Sequence, residues 1–199
     1  MTDIQRISIP VADTALPAEL AVPDGAGPWP GVVVVHDAFG LTDDNRANLR
    51  RFADNGYLGL MPDLFARGGV RCVVRTIMAV QRRRGVAVDD LLAARDLLAA
   101  RPDCTGAVGI AGFCMGGALS LFAACNNGKD VGACIDYYGG HPAIKYNFAG
   151  LTAPVLGFWA ENDGFANANQ PVIEAGTKEA GVAYEGITYP GTGHAFFNE

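Results

Sequence analysis

The run Gly31-Val-Val-Val-Val-His36 limits the fold more than any other stretch of the chain. Four successive β-branched residues favour a strand, and a strand without polar alternation needs apolar cover on both faces. Sheets covered on both faces are mostly parallel, with helical crossovers, so strands and helices should alternate around the run. They do. Ahead of it, residues 4–10 and 15–23 read as two short antiparallel strands, and the Gly/Pro-rich residues 23–31 as a loop within the domain. Behind it, Thr42 or Asp43 caps a helix that ends near Gly56, and residues 57–63 form the next strand. Val88, Leu91, Leu92 and Leu98 lie on one helical face that stops before Pro102. Strands at 107–111, 131–136, 154–159 and 182–188, with helices at 115–126 and 168–180, complete the alternation. The expected architecture is a three-layer α/β fold, a mostly parallel central sheet with helices on both faces. At 199 residues it makes one domain spanning 1–199.

In open sheets of this kind, sites form beyond the carboxyl ends of the strands. Residues that carry chemistry should therefore stand just after strands. Gly112-Phe113-Cys114-Met115-Gly116 meets that condition and fits the pattern glycine, any residue, nucleophile, any residue, glycine. The flanking glycines let strand and helix pack closely, and the helix N-terminus beside the side chain favours negative charge. A thiol held there is a candidate nucleophile, and the Met115 backbone N–H a candidate oxyanion donor. The competing reading makes Cys114 a packed core residue, the commoner fate of a free cysteine.

A thiol nucleophile needs a base, and the base needs an orienting acid. After Cys114, strand 155–160 runs into Glu161-Asn162-Asp163, and strand 182–189 runs into Pro190-Gly-Thr-Gly-His194. Both ends pass the strand-end condition in the order nucleophile, acid, histidine. Asp163 is the assigned acid; Glu161 is its rival, closer to the strand and read as facing solvent. The loop His36-Asp37-Ala38-Phe39-Gly40 follows the first buried strand, where the second oxyanion donor belongs, and the Ala38 N–H is assigned to it. His36 and His141 fall outside the triad order and read as structural.

Composition narrows the rest. Half of the residues are hydrophobic, 18% are charged and the net charge is −6, which fits an acidic globular protein and argues against a nucleic-acid surface. The longest apolar runs fall far short of the roughly 20 residues of a membrane span, and the first residues lack the pattern of a signal peptide. Five irregularly spaced cysteines with no CxxC pair favour neither a disulfide framework nor a zinc site, and suggest a reducing cytoplasm. No metal or organic cofactor is expected, because no ligand cluster or phosphate-cradling glycine loop is present.

Taken together, VVVVHDAFGL at 32–41, GFCMGG at 112–117, AENDGF at 160–165 and GTGHAFFN at 191–198 resemble the dienelactone hydrolase (carboxymethylenebutenolidase) family. These are α/β-hydrolases with a cysteine nucleophile. The resemblance implies Cys114 as nucleophile, His194 as base and Asp163 as its orienter. It also implies a thiol-activating role for Asp37, where the family commonly has glutamate. The chain stops five residues after His194, where the family continues into a C-terminal helix covering the sheet. That departure predicts exposed apolar surface and either a truncated sequence or a covering partner. The family's substrate-binding arginines would come from beyond residue 199 and from the region of Arg82, Arg83 and Arg84. The expected activity is hydrolysis of an activated ester or enol lactone, a small-molecule substrate, through a thioester. Alternatives are another cysteine-dependent esterase or thioesterase on this fold, a non-catalytic binding relative, and a redox-sensing thiol.

Overall fold

The computed structural model describes residues 2–11, 14–68, 86–126, 130–140 and 144–198. Cys72, Arg82, Arg83, Arg84 and His141 lie outside them.

The chain opens with an antiparallel pair, β1 (Ile4–Val11) and β2 (Thr14–Ala21), in register from Ile4 opposite Ala21 to Val11 opposite Thr14. The remaining strands are β3 (Trp29–Val35), β4 (Leu58–Pro62), β5 (Cys104–Phe113), β6 (Cys134–Tyr137), β7 (Val155–Asn162) and β8 (Tyr184–Gly193). They join one sheet in the order β1-β2-β4-β3-β5-β6-β7-β8, antiparallel through β2–β4 and parallel from β4 onward. The helices are α1 (Asp43–Asp54), α2 (Val86–Ala99), α3 (Met115–Asn126), the short α4 (Gly164–Asn167) and α5 (Gln170–Ala180). A 3-10 turn covers Phe148–Gly150.

The order explains the layering. From β3 the chain steps one way to β4, then back across β3 to β5. Right-handed crossovers therefore put α1 on one face and α2 and α3 on the other. Val33, Val34 and Val35 are fully buried between these layers, as their unbroken apolar run requires. The reversal of strand order at β3 opens a crevice between the carboxyl ends of β3 and β5, where such sheets place their sites. Cys114 follows β5 and the loop 36–40 follows β3.

Local capping sets the ends of α1. Thr42 Oγ1 accepts the Asn45 N–H at 3.3 Å, and Asp43 and Asp44 occupy the first turn, where the helix dipole favours acids. The helix ends at Asn55, ahead of Gly56 with its φ of 86°. Arg46 then clamps α1 to β2 through three hydrogen bonds of 2.9–3.0 Å to the carboxylate of the buried Glu19.

On the α1 side, the β5–β8 half of the sheet carries a row of aromatic rings. Phe113 stacks on Tyr137 at 4.5 Å, Tyr137 stacks on Phe158 at 4.7 Å, and Tyr189 follows at 6.1 Å from Phe158. Phe197 lies across this row, 4.7 Å from Tyr137. Arg51, Phe52 and Tyr57 face the same rings across a groove of about 410 Å³. Among the described residues no helix is long and apolar enough to cross a membrane.

Two elements differ from the sequence reading. The helix expected over 168–180 forms over Gln170–Ala180, with Pro171 in its first turn, but a short helix that the sequence reading lacks, α4, precedes it, capped by Asp163, which accepts the Ala166 N–H at 3.1 Å. Strand β8 runs on to Gly193, through the Pro190-Gly191-Thr192 segment that reads as a break in sequence.

Candidate active site

The glycines around Cys114 have a steric cause. A Cβ on Gly112 would strike the Gly116 carbonyl and Ser120 Oγ, and one on Gly116 would strike the carbonyls of Val35 and His36. Only glycine lets α3 start this close to β5 and β3. Cys114 itself takes φ 53°, a left-handed conformation that costs an L-residue energy and points its side chain out of the strand-to-helix turn. The Cys114 N–H donates to the Tyr137 carbonyl at 2.9 Å, which holds the turn to β6. Met115 is the first residue of α3, so its N–H has no acceptor within the helix.

His194 joins Cys114 to Asp163. Its Nε2 is 3.1 Å from Cys114 Sγ, and its Nδ1 is 2.5 Å from Asp163 Oδ2. The three side chains therefore form one chain of hydrogen bonds, although they stand 80 and 31 residues apart in sequence. Asp163 is buried and Cys114 is half-buried. His194 titrates at about 9, held protonated chiefly by its hydrogen bond to Cys114 and then by the one to Asp163, against partial burial. The edge of its ring meets Tyr138, centroids 5.3 Å apart.

The loop after β3 is fixed from several sides. His36 is buried; Leu64 N–H donates to its Nε2 at 3.1 Å, which leaves Nδ1–H to donate to the Asp37 carbonyl at 2.7 Å. Burial lowers the His36 pKa, consistent with a neutral structural ring. Asn45 Nδ2 donates to the Gly40 carbonyl at 2.9 Å and pins the loop to α1. Asp37 Oδ1 accepts the Phe39 N–H at 2.8 Å and its Oδ2 accepts Asn198 Nδ2 at 3.2 Å. Among the described residues no hydrogen bond joins Asp37 to Cys114, and Ala38 sits between the two ends of the Asp37 side-chain turn.

Three residues of this region had no assigned role in the sequence reading, and a fourth, Glu161, stood there only as the rival acid. Tyr138 has φ 42°, and its N–H donates to the Phe158 carbonyl at 2.7 Å. Asp136 is fully buried; its Oδ1 accepts the Gly139 N–H at 2.7 Å, and burial pushes its carboxyl up to about 8 against that bond. Asn198 partners Asp37 as described. Glu161, the rival acid, accepts the Gly191 N–H at 2.7 Å and does not touch the imidazole. The Asp136-Tyr137-Tyr138-Gly139-Gly140 segment spanning the carboxyl end of β6 was the available sequence signal for Asp136 and Tyr138, since it too stands at a strand end. Among the described residues no group of His, Cys, Asp and Glu is arranged to hold a metal ion.

Comparison with known proteins agrees with this arrangement of strands and loops. The model of the dienelactone hydrolase family matches residues 16–199. A carboxymethylenebutenolidase of Pseudomonas sp. strain P51 is 30% identical over 190 residues, covering 90% of this chain and 78% of that protein. The protein usf of Aquifex pyrophilus is 30% identical over 191 residues, covering 90% of this chain and 81% of its own. The crystal structure of a dienelactone hydrolase from Anabaena variabilis superposes with a TM-score of 0.70 at 23% identity, covering 100% of this chain and 89% of that one. The likeness at that identity is one of fold.

Proposed function

The chain belongs to the dienelactone hydrolase family and is a hydrolase of esters or lactones; from that premise we propose that it cleaves an activated ester or enol lactone, with Cys114 as nucleophile and a thioester as intermediate. The observation that carries this reading is the placement of the His194 imidazole between Cys114 Sγ and Asp163 Oδ2, at 3.1 and 2.5 Å.

The thiolate of Cys114 attacks the carbonyl carbon. An Sγ–C bond forms and the carbonyl π pair moves to oxygen, which accepts hydrogen bonds from the N–H groups of Met115 and Ala38. Collapse of this tetrahedral species breaks the C–O bond to the leaving group, and the His194 imidazolium gives that oxygen its proton. In a lactone the leaving group stays tethered as the ring opens. His194, now neutral, takes a proton from water as the water attacks the thioester carbonyl. The second collapse breaks the C–Sγ bond, releases the acid and leaves the Cys114 thiolate beside the imidazolium already formed, with Asp163 holding the ring in place throughout.

Substrate preference follows from the sulfur. A thiolate is itself a good leaving group, so the first tetrahedral species returns to reactants unless its oxygen leaves more easily. An enolate leaves more easily than a simple alkoxide. Amides and alkyl esters are therefore poor substrates. Asp37 anchors the turn that presents Ala38. The thiol-activating role implied by the family resemblance requires its carboxylate to leave Asn198 and Phe39 and turn toward Sγ.

The test compares kcat/KM for an enol lactone with that for the saturated lactone of the same ring size. The proposal expects the enol lactone to be preferred by orders of magnitude. Equal rates would point to a different rate-limiting bond and contradict it.

A further inference from the structure

Strands β7 and β8 pair regularly from Val155 opposite Tyr184 to Ala160 opposite Tyr189, and then lose register before Asn162 meets Gly193. Between those two pairs β7 has Glu161 alone, whereas β8 has Pro190, Gly191 and Thr192. Bulges of this kind bend a strand and re-aim the side chains that follow, and they recur beside active sites. Here the first side chain past the end of β8 is His194, and the residue after Asn162 on the other strand is Asp163.

A bulge leaves backbone groups without ladder partners. Gly191, at φ 74°, is such a position, and its N–H donates to Glu161 Oε2 at 2.7 Å. Thr192 Oγ1 donates to the Tyr189 carbonyl at 2.8 Å and closes the turn internally. On the opposite strand, Asn167 Nδ2 donates to the Ala160 carbonyl at 2.8 Å, so the segment carrying Glu161 is itself tied to α4. Of these contacts, the one from Glu161 is the side-chain bond that crosses from the acid-bearing strand to the bulge.

We infer that Glu161 is a positioning residue: its carboxylate replaces the missing strand bond at Gly191 and so fixes the bulge that aims His194 between Cys114 and Asp163. This inference rests on the proposed triad. It gives the rival acid a task distinct from holding the imidazole, since Glu161 acts one step back, on the backbone that carries the histidine.

The test uses Glu161→Ala and Glu161→Gln in the full chain, with Cys114→Ala alongside. Loss of one hydrogen bond's worth of positioning lowers kcat roughly threefold to tenfold in Glu161→Ala. KM and the melting temperature stay near their wild-type values. Glu161→Gln keeps an acceptor oxygen and restores kcat. In proton NMR of the free protein, the His194 Nδ1–H resonance broadens in the alanine variant and is retained in the glutamine variant. Wild-type kcat and an unchanged resonance in Glu161→Ala would overturn the inference, as would a loss that glutamine fails to restore. A Cys114→Ala protein that remains fully active would instead overturn the triad beneath it, and the NMR comparison reads the bulge independently of turnover.

Discussion

His194 Nδ1 lies 2.5 Å from Asp163 Oδ2, while the other oxygen of the same carboxylate caps α4 through the Ala166 N–H. One side chain thus holds the ring of His194 and caps the helix that follows Asp163. An asparagine at 163 retains the cap through its carbonyl oxygen but loses the anionic partner of the imidazole. Asp163→Asn is expected to lower kcat by roughly two to four orders of magnitude, and to lower the urea midpoint modestly because the imidazolium loses its anionic partner. Steady-state kinetics and equilibrium unfolding on the same preparation check both halves.

The pH profile follows from His194. Its imidazolium persists to about pH 9, sustained first by Cys114 and then by Asp163. It is the proton source for the leaving group, so kcat/KM should fall on an alkaline limb near that value. The sign for stability is the same. A histidine whose folded pKa is raised contributes stability that is complete below its unfolded pKa and is lost as pH rises through the folded one. The stability difference between wild type and His194→Gln should therefore shrink over the window from the ordinary histidine pKa up to about 9. Urea titrations at several pH values measure it.

Asp136 makes a prediction of the same sign in a different window. Its buried carboxyl stays protonated to about pH 8, whereas the unfolded chain releases that proton at an ordinary carboxylate pKa. Between those limits the unfolded state binds fewer protons, so rising pH costs the folded protein stability. Asp136→Asn keeps an acceptor for the Gly139 N–H and removes the ionisable group. The variant should gain on wild type as pH rises from about 5 to about 8, on the order of 1 kcal/mol per pH unit. Parallel unfolding curves that keep a constant separation would contradict it.

The sequence exposed those parts of the site whose signals are local. Val32–Val35 announced a doubly covered strand, and the glycines around Cys114 announced a turn in which strand and helix nearly touch, because each is a rule about neighbours in the chain. Asp163 and His194 were legible for a related reason, since both stand at the ends of strands that could be seen. Other relationships depend on pairing between distant segments. Gly191 needs Glu161 only because β7 and β8 fall out of register, and Pro190-Gly191-Thr192 looks like an end of strand unless that register is known. The Asp37–Asn198 bond joins residues 161 positions apart. Tyr138 takes a left-handed conformation that nothing in a tyrosine's chemistry foretells. The additional short helix α4 came from Asp163 spending an oxygen on a cap, a choice that becomes visible only once the carboxylate is placed.

The central claim is that Cys114 carries the acyl group. Rapid acid quenching during turnover of p-nitrophenyl acetate, followed by intact-protein and peptide mass measurement, tests it most directly. The account predicts one acetyl group per chain, mapped to Cys114 and lost with hydroxylamine, and neither the adduct nor turnover in Cys114→Ala. An acetyl group on another residue, or full turnover by Cys114→Ala, would contradict it.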